Sequence, residues 1–348
     1  MRNTLLKNKV KQLMLEYVKQ QINIEINDTQ FSLNIDDANI VHIKLYFNVG
    51  EFSQKLKKYI EQNLDEEFSV LIEQAIRAHK IENLVQGKPN IKNIIAISSA
   101  KGGVGKSTLA LNIAVAMQQL GAKVGIVDAD IHGPSQPTMQ GVSNHDLQDR
   151  TSGLHPVSKY NIESASISYF MTNDDPVVWR GPMVSRALEQ LIHDIKWGEL
   201  DYLFIDMPPG TGDLPLTLVK KLPLTAALVI TTPQDIAYID AKKSAEMFIK
   251  TKIPLLGVVE NMSSFSCEYC GRESKIFGEG GGLKLANEVS LPLMAKVPLT
   301  IEIRECSDIG IPVAIKSHDI AHIYQKISLQ IGSQLSLREL DFMRNSSS

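Results

Sequence analysis

The stretch Asn93-Ile94-Ile95-Ala96-Ile97-Ser98-Ser99-Ala100-Lys101-Gly102-Gly103-Val104-Gly105-Lys106-Ser107-Thr108 decides the fold. An Ile-rich run of strand length enters a glycine-rich turn. A helical pattern follows, Leu109-Ala110-Leu111-Asn112-Ile113-Ala114-Val115-Ala116-Met117. Strand, glycine loop, Lys-Ser and helix together form the layout of a phosphate-binding loop. Glycines let consecutive N–H groups converge on an anion, and the helix N-terminus adds partial positive charge. On this reading Ala100 to Thr108 cradle a nucleotide triphosphate. Lys106 reaches the β- and γ-phosphates, and the Ser107 hydroxyl is a ligand for Mg²⁺.

The general loop pattern has Gly where this chain has Ala100. Ala100 would serve through its backbone, provided its φ is negative. A second lysine, Lys101, opens the loop, and Lys-Gly-Gly-Val-Gly-Lys-Ser-Thr resembles the deviant phosphate loop of the MinD, ParA and nitrogenase iron-protein ATPases. The resemblance implies that Lys101 reaches the nucleotide of a facing subunit, hence an ATP-dependent homodimer.

Outward from the loop, strands alternate with helices, which predicts an α/β domain with a mostly parallel sheet flanked by helices. Lys123 to Val127 is a strand ending in Asp128-Ala129-Asp130, and Tyr202 to Ile205 is another ending in Asp206-Met207-Pro208-Pro209-Gly210-Thr211-Gly212-Asp213. Ligands in such sheets sit beyond the carboxyl ends of the strands. Asp206 is therefore expected at Mg²⁺, Asp130 at the attacking water or the metal, and the Pro-Gly run at the γ-phosphate. A cap or surface turn is the competing reading of Asp128. Asn261, after the strand Leu255 to Val259, could pair with an adenine edge or simply close a turn. Residues 141–165 lack periodicity and read as a mobile surface segment. Ala187, Leu188, Leu191 and Ile192 mark a helix. Leu283 to Ala286 follow the Gly278–Gly282 turn, and Ile320, Ile323, Tyr324, Ile327 and Ile331 mark a late helix.

Residues 1–85 read as a small α+β accessory domain without a catalytic constellation, 86–92 as a linker, and 93–340 as the ATPase domain. Within the first unit, Leu6, Val10, Leu13, Met14, Tyr17 and Val18 share a helix face, and 31–35 and 41–47 alternate as strands. Leu56, Ile60, Leu64, Phe68, Leu71, Ile72 and Ile76 predict one long second helix. The final Arg344 to Ser348 reads as disordered.

At 348 residues with net charge −3, 43% hydrophobic and 22% charged residues, the chain is ordinary for a globular protein and offers no bulk attraction to nucleic acid or anionic membrane. No apolar stretch reaches membrane-span length and no signal-peptide core is visible. Three cysteines argue against a disulfide framework and for a cytoplasmic setting.

Two of those cysteines, Cys267 and Cys270, form a Cys-x-x-Cys pair whose spacing suits one metal ion or cluster. Two thiolates are half of a four-sulfur site, and Cys306 stands alone, so a symmetric dimer is needed to complete it. An iron–sulfur cluster, a shared Zn²⁺ and unligated cysteines all remain open at this point.

The ordered set of motifs resembles the Mrp (ApbC-like) iron–sulfur cluster carrier ATPases. It comprises Lys101–Thr108, Asp128-Ala129-Asp130-Ile131-His132-Gly133-Pro134-Ser135, Trp179-Arg180-Gly181-Pro182-Met183, Asp206–Asp213, Thr231-Thr232-Pro233-Gln234-Asp235, and Glu260-Asn261-Met262-Ser263 before the cysteine pair. The resemblance covers about residues 90 to 315. It implies slow ATP hydrolysis with Mg²⁺ and a labile [4Fe–4S] cluster held by Cys267 and Cys270 across the dimer. It also implies transfer between an assembly scaffold and apo iron–sulfur proteins, with no nucleic-acid or membrane partner. Many members carry a small domain in front, though its usual Asp-Pro-Glu motif is absent here. A MinD- or ParA-like positioning ATPase and a Zn²⁺-binding scaffold are the alternatives.

Overall fold

The computed structural model describes residues 2–22, 24–64, 68–83, 85–130, 133–142, 154–170 and 181–341. Ile131-His132, Trp179-Arg180, much of the segment 141–165 and the tail from Arg344 lie outside the described residues.

The first unit contains α1 (Arg2–Ile22), β1 (Phe31–Ile35), β2 (Ile40–Leu45), α2 (Phe52–Gln62) and β3 (Ser69–Gln74). β1 and β2 pair antiparallel, and β3 adds to β2 in parallel. The expected long second helix is therefore corrected: it ends at Gln62, and its second half is a strand. Val70 is buried while Ser69, Leu71 and Glu73 are exposed, a two-residue alternation. Leu64, Phe68, Leu71 and Ile72 matched a helical period only because a short apolar run fits both templates.

The second unit runs β4 (Ile91–Ser98), α3 (Lys106–Gln119), β5 (Val124–Asp128), α4 (Gln136–Met139), β6 (Val157–Lys159), β7 (Ile162–Ser166), α5 (Gly181–His193) and β8 (Leu200–Asp206). It continues with α6 (Asp213–Lys221), β9 (Ala226–Thr231), α7 (Asp235–Lys250), β10 (Leu255–Ser266), β11 (Glu273–Ser274), α8 (Gly281–Glu288), β12 (Leu293–Leu299), α9 (Ile301–Asp308), α10 (Val313–Lys316) and α11 (His318–Ser336). The strand order is β10-β9-β4-β8-β5-β7, all parallel, with β12 parallel to β10. Only β6 and β11 run antiparallel to their neighbours. β7 corrects the expectation of a surface segment over 141–165: Ile162 and Ala165 are buried in the sheet beside β5. Its small polar residues Ser164 and Ser166 hid it from a search for apolar runs.

β4 shows why the sheet needs cover on both faces. Ile95 and Ile97 enter one core with α3, α10 and α11, whereas Ile94 and Ala96 enter the other with α5, α6, α7 and α8. α3 is buried almost all round, being wedged between the sheet and α11.

The two units share a polar seam. Gln30 Nε2 donates to the Ser333 carbonyl (2.9 Å) and to the Ser336 hydroxyl (2.9 Å). The Tyr202 hydroxyl, buried in β8, donates to Asn48 Oδ1 at 3.2 Å, and Gly332 leaves room for that amide. Leu120 and Leu329 of the larger unit complete the core of the smaller one. Residues beyond β3 run over the larger unit, where Asn83 Nδ2 donates to the Leu222 carbonyl (2.6 Å).

A buried donor left without its acceptor costs about 1–3 kcal/mol. Asn48→Ala strands the Tyr202 hydroxyl and is expected to lower unfolding stability by about that amount, read from denaturant midpoints. An unchanged midpoint would mean the seam is open in solution.

Candidate functional site

The site grows from the carboxyl edge of three neighbouring strands. β4 delivers the glycine loop, β8 delivers Asp206, and β5 delivers Asp128. Asp128 and Asp206 are register partners on adjacent strands, so both carboxylates leave the sheet side by side. Chain direction changes here: α3 carries the chain from β4 over β8 to β5, which opens the crevice where such sheets bind ligands.

The loop Ala100 to Gly105 turns back on itself before α3. Gly103 and Gly105 have φ of +81° and +79°, a left-handed conformation that side chains disfavour. Ala100 is not among the residues with positive φ, so its backbone serves as expected. A Cβ on Gly105 would overlap the Asn261 amide, whereas Gly102 and Gly103 face open space. Val104 is buried and Thr108 Oγ1 meets Met139 Sδ at 3.6 Å, which pins the loop and the first turn of α3.

Lys106 is buried and forms an ion pair with Asp206, itself fully buried. The same ammonium donates to Ser107 Oγ at 3.3 Å. Gln136 completes this cluster. Its Nε2 donates to Asp206 Oδ2 (3.0 Å) and to the Ser107 carbonyl (3.0 Å), while its own N–H donates to Asp128 Oδ2 (3.0 Å). Sequence reasoning passed over Gln136. The usable signal was Pro137, which marks the start of a helix just after the strand-end aspartates.

Burial and the neighbouring Asp206 carboxylate push Asp128 up to about 7, against its two backbone hydrogen bonds and the charge of Lys106. Asp128 thus faces the ion pair and also ties the turn, through the Asp130 N–H (3.1 Å). The Asp130 side chain is half-exposed at the rim and has no hydrogen-bond partner among the described residues. Lys101 is exposed at the mouth of the loop, with no ion-pair partner among the described residues; its carbonyl accepts from Ser99 Oγ. The loop after Asp206 is bonded to β4: Met207 and Gly210 donate to the carbonyls of Ile97 and Ser99.

Asn261, expected at the base edge, spends its amide donor on the Val104 carbonyl at 2.8 Å. It braces the phosphate loop from β10. The same strand continues to a hairpin with β11 that bears the cysteines. There the N–H of Gly271 (φ +66°) donates to the Cys267 carbonyl (2.8 Å), and the Cys267 N–H donates to the Arg272 carbonyl (3.1 Å). The N–H groups of Cys270 and Tyr269, with the Cys270 thiol, hold the Cys267 thiol below its usual range. Cys270 and Tyr269 are exposed at the tip, whereas Cys306 is buried in the core on α9 and takes no part. Among the described residues no third His, Cys, Asp or Glu joins the pair. Nor is any helix among them long and apolar enough to cross a membrane.

Chemically, the phosphate loop offers N–H groups and a lysine to a polyanion, and Ser107 and Asp206 offer hard oxygens to a cation. Gln136 Oε1 is buried beside them without a partner among the described residues, an acceptor suited to the water shell of such a cation. The hairpin offers two soft sulfur donors on one side of a turn.

Residues 90–332 match the family described as NUBPL iron-transfer P-loop NTPases of the ParA group. The chain is similar to the iron–sulfur cluster carrier protein of Pseudomonas fragi, 48% identical over 265 residues that cover 75% of this chain and 92% of that protein. It is 49% identical over 269 residues to the protein of the same description from Escherichia coli K12, covering 74% and 72%. Among solved structures, an Archaeoglobus fulgidus nucleotide-binding protein in complex with ADP aligns with a TM-score of 0.57 at 36% identity, over 64% of this chain and 87% of that one.

Two outcomes test the geometry. If Asn261 braces the loop, Asn261→Ala weakens ATP and GTP binding alike, by about fivefold for one lost hydrogen bond; a loss confined to ATP would put the side chain on the base. For Asp128, the unfolded chain releases the proton near pH 4 while the folded chain keeps it to about 7. Folding is therefore progressively disfavoured as pH rises through that window. Without magnesium, Asp128→Asn is expected to gain stability relative to the parent chain between pH 5 and 8, measured by urea unfolding at each pH.

Proposed function

The chain belongs to the NUBPL iron-transfer P-loop NTPase family, and from that premise we propose that it is an ATP-hydrolysing carrier which holds a [4Fe–4S] cluster between two copies of itself and passes it to apo-proteins. The observation that carries this reading is the cysteine hairpin. Two backbone N–H groups and a neighbouring thiol hydrogen-bond to Cys267, which favours the thiolate that binds metal. One chain supplies two sulfurs, so a cubane cluster with four cysteine ligands requires a second copy. Exposure of Cys270 and Tyr269 at the tip suits both that meeting and release to an acceptor. Exposed thiols of this kind persist in a reducing compartment such as the cytoplasm.

The nucleotide chemistry follows from the cluster around Lys106. Its ammonium, drawn from Asp206 to the β- and γ-phosphates, neutralises their charge alongside the loop N–H groups. Mg²⁺, when bound, would supply a Lewis acid that shields the phosphate oxygens. Ser107 and Asp206 would hold it, with Gln136 orienting Asp206. Asp130, at the rim, would position the attacking water. Lys101, exposed at the loop mouth, is free to reach the phosphates of the facing copy. Residues 1–85 are an accessory unit in this scheme and contribute no chemistry of their own.

Coupling between nucleotide and cargo has a direct route. β10 braces the phosphate loop through Asn261 and reaches Cys267 six residues later, across an irregularity at Met262 (φ +54°), so within about 20 Å at strand rise. A shift of the loop on ATP binding moves the base of the cysteine hairpin. The reading is tested by anaerobic iron–sulfur reconstitution of the parent chain and of a Cys267→Ala/Cys270→Ala double variant, with absorbance, metal content and solution mass recorded. About four irons per dimer, absent in the double variant, is the expected result. Stoichiometric Zn²⁺ that iron does not displace would replace the carrier by a zinc scaffold. Dimers that form with ATP but hold no metal would leave a positioning ATPase.

A further inference from the structure

A groove of about 590 Å³ lies between the two units, at the end of α3 remote from the phosphate loop. Lys106 and Gln119 bound α3, and thirteen residues of helix put the groove about 20 Å from the nucleotide site. Its floor is apolar, formed where Ile22, Leu120 and Leu329 close the shared core. Ile315 lies at its edge and is 46% exposed.

The rim is charged with one sign. Lys55 comes from α2, Lys316 from α10 and Lys326 from α11, against a single carboxylate, Glu51. None of the three lysines has an ion-pair partner among the described residues, whereas ten other lysines on the surface do: Lys11 pairs with Asp28 and Lys221 with Glu189, for example. His322 adds a ring donor. His318 Nδ1 lies 3.8 Å from Asp319 Oδ1. Three ammonium groups from three separate elements around an apolar floor give the groove a basic rim that complements an anionic, partly apolar partner.

We propose that this groove docks an acidic, partly apolar peptide segment of a partner protein. Apolar side chains of the segment would cover Leu120 and Ile315, and its carboxylates would pair with Lys55, Lys316 and Lys326. A polyanion such as nucleic acid fits less well, because the chain as a whole carries a net charge of −3, and the two aromatic rings at the groove, Tyr17 and Phe52, are packed on each other. The proposal does not depend on the identity of the cargo at the cysteines. It places partner recognition on the seam between the units, where both must be present.

The test uses the full chain and a fluorescein-labelled peptide of alternating Glu and Leu, with a Gln-Leu peptide as the uncharged control, read by fluorescence anisotropy. The acidic peptide is expected to bind and the control not to, with affinity falling as salt rises. Lys55→Glu/Lys316→Glu/Lys326→Glu should abolish binding while leaving ATP binding and the thermal midpoint unchanged. Each single Lys→Gln change should weaken it by about two- to fivefold, the range of a rim charge pair. A triple reversal elsewhere on the surface, Lys123→Glu/Lys220→Glu/Lys252→Glu, should have little effect. Equal loss in both triple variants, no binding of the acidic peptide, or equal displacement by an oligonucleotide of the same charge would each overturn the proposal.

Discussion

Lys106 and Asp206 form an ion pair in a place with almost no water. Burying two charges costs several kcal/mol per ion unless hydrogen bonds satisfy what the pair leaves over. Here Ser107 accepts from the lysine, and Gln136 donates to the carboxylate. The pair joins the first residue of α3 to the last residue of β8, so it closes the crevice edge of the sheet. A phosphate that draws the lysine away leaves Asp206 beside Asp128 with no compensating charge. Two adjacent carboxylates then call for a cation or a proton. In the proposed function, nucleotide and divalent cation would therefore be linked ligands of one electrostatic cluster.

Two long elements carry that cluster's state outward. α3 begins at Lys106 and ends at the basic groove; β10 touches the loop at Asn261 and ends at Ser266, next to Cys267. α3 is held along its length by α11 and the sheet, and β10 by β9 and β12 as far as Asn261, after which its pairing with β12 shifts register before Phe265. Elements packed on two sides transmit displacement because close-packed interiors have little room to absorb it. α3 thus leads from the phosphate loop to the groove, and β10 leads from it to the cysteine hairpin.

Much of this was legible in the sequence, and the reasons are local. The phosphate loop is a contiguous motif whose glycines are dictated by backbone angle, and Asp206 stands at the end of an unmistakable apolar strand. The cysteine pair needs only its spacing. What was hidden depends on tertiary partners. β3 carries an apolar run that fits two periods, and only pairing with β2 decides between them. β7 is a strand of small polar residues that becomes interior because β5 lies beside it. Gln136 looks like an ordinary turn residue and Asn261 like a base contact or a turn, until the fold brings them, across 29 and 157 positions of chain, onto Ser107 of α3 and Val104 of the phosphate loop.

The seam between the units bears on how the first of them is regarded. A loosely tethered accessory domain would meet its neighbour through a small, wet contact. Here Gln30 and Asn48 are fully buried, and their amides bond to α11 and to Tyr202. Tyr202 stands four residues before Asp206 on β8. The first unit thus buttresses the strand that carries the site's central carboxylate. Buried amides contribute orientation as well as stability, since an amide displaced from its partner pays the full desolvation penalty. A unit with no catalytic constellation of its own is, on this architecture, part of the scaffold that fixes where Asp206 sits.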